Sequence, residues 1–158
     1  MVWYQEAGQR SIPSLLAALS PSTEIERNHE LVDELIRLGD CSHAYGLCIE
    51  RGRRILAGEP ALTVLGGRKT RAFYRNLLDP NRPGPVTIDR HAISLLYGLK
   101  LGDTTGLTIL NRIGAYQWAA AIYRTVARRY GVLPHQLQAV TWLTWRRLNI
   151  HQIPDEDF

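Results

Sequence analysis

Three features of the 158-residue sequence have residue types and spacings from which chemistry can be built. The first is Cys41-x-His43-x4-Cys48, three metal-ligand types within eight residues. A closed structural zinc site takes four protein ligands, and no fourth stands nearby in sequence. Two cysteines are also too few for an iron–sulfur cluster, so neither metal nor cofactor is expected and both thiols read as small core residues. The second is Gly66-Gly67-Arg68-Lys69-Thr70, which has the glycines and the Lys-Thr pair of a phosphate-binding loop. That loop requires glycine directly before the lysine and a strand before the turn. Here Arg68 precedes the lysine and the upstream residues pattern as helix, so a nucleotide loop is not expected.

The third feature is charge. The chain carries a net +4, but residues 51–147 hold sixteen basic and four acidic side chains, a formal +12. Such a segment attracts and steers a polyanion. Seventeen of the nineteen basic residues are arginine, the side chain suited to bidentate phosphate contacts. A solvated arginine-rich surface is the alternative. There is no Gly-x-Ser-x-Gly elbow for a serine hydrolase.

The elements that must position these residues read as helices throughout. Length and composition, with 45% hydrophobic and 22% charged residues, give one compact domain with an ordinary core. No apolar run is long enough to span a bilayer. The first six residues, Met1 to Glu6, lack the basic and apolar regions of a signal peptide. Two cysteines cannot make a disulfide framework, so a cytoplasmic protein without a membrane partner is expected.

An apolar stretch runs from Pro13 to Leu19. Thr23-x-x-Glu26 has the form of a capping box opening a helix through Leu31, Leu35, Ile36 and Leu38, closed by Gly39. A second helix is expected from Ser42 to Leu56, with Tyr45, Ile49 and Ile55 inward. One turn over Leu62–Leu65 leads into Gly66-Gly67, and a helix follows from Arg68 to Leu78 with Phe73, Leu77 and Leu78 on one side. Three prolines and a glycine over 79–85 exclude regular helix. The next helix starts near Asp89 and continues to Leu99, with a turn over 102–106. A long helix follows over 113–130, with Trp118, Ile122 and Val126 inward. The last starts at Pro134, with Leu137, Val140, Leu143 and Leu148 near one face. The class is all-α, a single multi-helix domain over 1–150 with no internal boundary, followed by an acidic tail over 151–158.

The stretch Leu65-Gly66-Gly67-Arg68-Lys69-Thr70, an apolar helix, and then Val86-Thr87-Ile88-Asp89-Arg90-His91 resembles the helix-hairpin-helix DNA glycosylases of the endonuclease III type. In that family a glycine-bearing hairpin leads to a lysine, and an aspartate follows about twenty residues on. Lys69 and Asp89, 20 residues apart, stand at those positions. The resemblance covers roughly residues 60–147 and extends to the tryptophan-bearing last helix. The hairpin is shortened and lacks the family's proline, the cluster-binding cysteines are absent, and the chain is short. A diverged, phage-type member is therefore implied.

The resemblance implies DNA as partner, duplex by preference, and cleavage of the N-glycosidic bond of a flipped base with abasic-site lyase activity. Lys69 would attack the anomeric carbon and leave a Schiff base. Its amine must first lose a proton from a reference pKa of about 10.4, a change favoured by Arg68, Arg71 and partial desolvation. Asp89 would stabilise positive charge developing on the sugar. Gly66, Gly67, Arg68, Thr70, Arg71, Arg90, His91, Arg146 and Arg147 are the expected DNA contacts, and Tyr74 is an aromatic available for stacking. Two other readings remain open: a DNA-binding module that kept the scaffold and lost the chemistry, and an enzyme acting on modified bases. Asp89 also has the bland reading of a helix cap, Lys69 that of a phosphate contact or solvated side chain, and His91 a structural or DNA-facing one.

Overall fold

A computed structural model describes residues 12–21 and 23–149 of the chain. The acidic segment 151–158 lies outside the described residues, as do the first six residues. Among the described residues the protein is all-helical, with nine helices and no strand. No helix among them is long and apolar enough to cross a membrane. Contacts gather into two compact units divided after Pro80, within the proline-rich 79–85 stretch.

The first unit is built around α1 (Ile12–Leu19), which packs against α2 (Ile25–Leu38), α3 (Gly46–Leu56) and α5 (Arg68–Leu78). Residues 14–19 of α1 are all buried, as a helix apolar on every side requires. Leu31, Val32 and Leu35 of α2 close over it. Asn28, also buried, donates from Nδ2 to the carbonyl of Leu16 at 2.9 Å. α4 is a single turn, Ala61–Val64, on α3.

Two expectations change here. Glu24, not Thr23, caps α2, and Thr23 donates its hydroxyl to Pro21 O, so the capping box does not form. Helix α3 starts at Gly46 after a turn over 42–44, with Tyr45 as its extended N-cap residue, 62% exposed. Its inward residues are Cys48, Gly52 and Ile55. Gly52 is needed there because a β-carbon would stand 2.3 Å from Leu35 Cδ2. Cys41 and Cys48 are both free and buried in this core, and burial is the largest cause raising each thiol's pKa.

The second unit contains α6 (Arg90–Tyr97), α7 (Asp103–Asn111), α8 (Ala115–Arg129) and α9 (Pro134–Asn149). α6 packs on α7 and α9, and α8 packs on the same two. Its core holds Val86, Ile88, Ala92, Ile93, Ala119, Ala120 and Tyr123. The expected turn over 102–106 is instead the start of α7. Gly102 caps it, and Gly106 lies inside it, where an added β-carbon would meet Arg90 Cβ at 3.0 Å.

The face of α8 is also displaced by one residue from the expected one. Its buried positions are Ala119, Ala120, Tyr123 and Ala127, small side chains that let neighbouring helices approach, with one tyrosine between them. Trp118 is consequently 48% exposed. On α9, Val140, Leu143 and Leu148 are exposed, while Leu137 packs against the core.

Candidate functional site

In the first unit the expected residues gather on one turn. Leu65, fully buried, anchors the end of α4. Gly66 and Gly67 lead from it into α5, which begins at Arg68. Gly67 has φ +72°, a left-handed conformation that glycine adopts without the strain of a β-carbon. Two guanidinium groups clasp the turn. Arg71 Nε donates to Leu65 O at 2.8 Å, and Arg51 of α3 packs so close to Gly66 that a β-carbon there would stand 2.7 Å from Nη2.

The N-cap of α5 is Gly67, which has no side chain with which to cap the first turn. Lys69 lies in that turn, exposed and without an ion pair or side-chain hydrogen bond among the described residues. The partial desolvation expected of Lys69 is therefore not present in this unit. Arg68 and Arg71 are exposed and Thr70 half-buried. Tyr74, the aromatic singled out for stacking, is instead partly buried against the first unit's own core.

In the second unit, Asp89 stands at the end of an extended segment and opens α6. The segment's own backbone is fixed by α8. Tyr116 donates its hydroxyl to Val86 O at 2.7 Å and accepts from Ile88 N at 3.3 Å. Arg124 Nε donates to Gly84 O at 2.9 Å. With Val86 and Ile88 buried on either side of Thr87, the position of Asp89 is set by both packing and hydrogen bonds.

Asp89 Oδ1 accepts from Ala92 N at 2.8 Å, so the cap reading of this residue is realised. Its carboxylate is half-buried near the phenol of Tyr123. Burial is the main cause raising the Tyr123 pKa. A hydrogen bond with Thr141 opposes that rise, and the Asp89 charge adds to it.

The other expected contacts of this unit are divided. Arg90 is held in an ion pair with Asp103. The ring of His91 meets Trp142 edge to face, with centroids 6.2 Å apart. Arg147 is exposed on α9, whereas the Arg146 side chain lies outside what the structure describes. Among the described residues no group of three or more His, Cys, Asp or Glu could hold a metal ion.

The sequence marks Arg51 as outward-facing and Arg124 as a solvated or backbone-binding arginine, but not the contacts that these two, Tyr116 and Tyr123 make. Their contacts join residues 15 to 40 positions apart, and no local pattern announces them.

No curated protein and no solved structure matches the chain. A family model does, over residues 1–149, and the chain belongs to that family, the family of unknown function DUF7178.

Proposed function

We propose that the protein acts on DNA as a glycosylase with abasic-site lyase chemistry, in the manner of the helix-hairpin-helix enzymes its sequence resembles. The observation that carries this reading is the turn from α4 to α5. It joins two helices through Leu65-Gly66-Gly67, places a glycine at the N-cap of α5, and sets an exposed lysine in the first turn between Arg68 and Arg71. Backbone amides at a helix start and adjacent cations form a phosphate contact. Lys69 is the one amine on that turn.

The chemistry follows from the residue types. Extruding a base from a duplex costs about a few kcal/mol, least when it is damaged or mismatched. Only a neutral amine is nucleophilic, so this reading requires Lys69 to give up its proton once DNA is bound. The amine then forms a bond to the anomeric carbon as the bond from that carbon to the base breaks. The base leaves with the bonding electron pair and takes up a proton. The nitrogen, having given up one proton, then donates its lone pair to form the C=N bond as the bond from the anomeric carbon to the ring oxygen breaks. That oxygen keeps the electron pair and takes up a proton, which opens the sugar and leaves the Schiff base. The resemblance assigns to Asp89, in the second unit, the negative charge that favours a cationic sugar in the transition state.

A second reading has an observation in its favour. Asp89 is already accounted for as a cap and Lys69 is exposed, which a non-catalytic DNA-binding module would also show. Duplexes carrying damaged or modified bases separate the two. The enzyme reading expects salt-sensitive binding, as cations released from phosphates require, together with base release that Asp89→Asn slows. Binding without release from any substrate leaves the module.

A further inference from the structure

In the second unit an open groove of about 410 Å³ is lined by Tyr97, Ile109, Arg112, Ile113, Ala115 and Trp118. It lies where the end of α6, the end of α7 and the start of α8 meet. The Tyr97 and Trp118 rings are 6.1 Å apart and inclined at 57°. About half of each is open to solvent, and Ile113 beside them is fully exposed. Trp118 is there because the alanines and Tyr123 of α8 take the buried face and leave it at the edge.

Charge identifies what fits. Residues 81–149 hold nine basic and two acidic side chains. Both acids are engaged, Asp89 with the Ala92 N–H and Asp103 with Arg90. Arg112 lines the groove, exposed and with no side-chain partner among the described residues. The occupant is therefore an anion that also brings flat apolar faces.

The geometry points to a stacking site for an unpaired base of a nucleic-acid strand, with Trp118 and Tyr97 as the platform and Arg112 on the adjoining phosphate. Every base has a face that an aromatic ring accepts, so such a site tolerates sequence. It rests on the nucleic-acid reading above and adds a place for single-stranded DNA, distinct from the turn that carries Lys69.

The test uses the full chain and a short oligothymidylate. Trp118→Ala weakens binding about 5- to 150-fold, the factor expected for one stacked base. Trp118→Phe, which keeps an aromatic face, restores most of that loss. Arg112→Gln lowers the slope of log affinity against log salt by about 0.7, the loss of one single-strand phosphate contact. The three substitutions are at exposed positions, and circular dichroism verifies that each variant keeps its helices.

Wild-type affinity in Trp118→Ala, no binding of the oligothymidylate, or a Trp118-dependent affinity for an acidic peptide in its place overturns the proposal. Failure here is separable from failure of the catalytic reading. Lys69-dependent trapping on abasic DNA without Trp118-dependent strand binding refutes the groove alone, and the converse refutes the catalytic reading alone.

Discussion

Asp89 has two proposed duties, capping α6 and stabilising a sugar cation, and two substitutions separate them. Asp89→Ala removes the acceptor 2.8 Å from Ala92 N in a helix of only eight residues. Losing such a cap costs about 1 kcal/mol. A unit of this size should then melt about 4–8 °C lower. Asparagine keeps an acceptor in the same place, so Asp89→Asn should lose less than half of that.

The Tyr123 phenol provides an independent check on the charge. Asp89 contributes to holding its pKa above the ordinary value, so either substitution should lower it in a spectrophotometric titration. Base release should fall in both variants, because both remove the negative charge. Thermal melts, tyrosine titration and release from a damaged duplex give three separate readouts. If Asp89→Asn melts as low as Asp89→Ala, the cap account is wrong. If Asp89→Asn releases base at the wild-type rate, Asp89 has no part in the chemistry.

Two further outcomes concern the first unit. Gly52→Ala forces a β-carbon to within 2.3 Å of the fully buried Leu35. Overpacking of this kind costs about 1–3 kcal/mol, against about 1 kcal/mol gained in helix propensity. Urea melts should show net destabilisation in the wild type and stabilisation in a Leu35→Ala background, and simple additivity would contradict the packing. The Glu34 pKa lies below its ordinary value, chiefly because its carboxylate accepts from the Ser42 N–H. A depressed carboxylate stabilises the fold above its unfolded pKa, and that contribution is lost as pH falls through the folded value. Glu34→Gln should therefore flatten the acid limb of a stability–pH profile, and an unchanged limb would refute it.

Some of this architecture was readable from residue order. Helix α5 runs from Arg68 to Leu78 as expected, since Gly66-Gly67 and Asp79-Pro80 punctuate both of its ends. Asp89 lies at the start of a helix for the same reason, following a proline-rich break. By contrast, α7 was hidden by its own glycines, because Gly102 and Gly106 have the composition of a turn and serve as a cap and a close contact. The inward face of α8 is not legible from its large apolar residues, because alanines, whose small size permits the packing, occupy it.

The support of the candidate residues was less legible than their positions. Tyr116 and Arg124 fix the segment before Asp89 by binding backbone carbonyls, and a side chain can find any carbonyl without a sequence signature. Arg51 meets Gly66 in the same unannounced way, across 15 residues.

The central claim is that Lys69 is the nucleophile, and borohydride trapping on DNA carrying an abasic site tests it most directly. A Schiff base between the amine and the sugar is reduced to a stable covalent link, visible as a shifted band in a denaturing gel. The wild-type chain should be trapped. Lys69→Ala should not be trapped although its DNA affinity stays within a few-fold, and Lys100→Ala should be trapped as the wild type is. No trapping by the wild type, or equal trapping by Lys69→Ala, would contradict it.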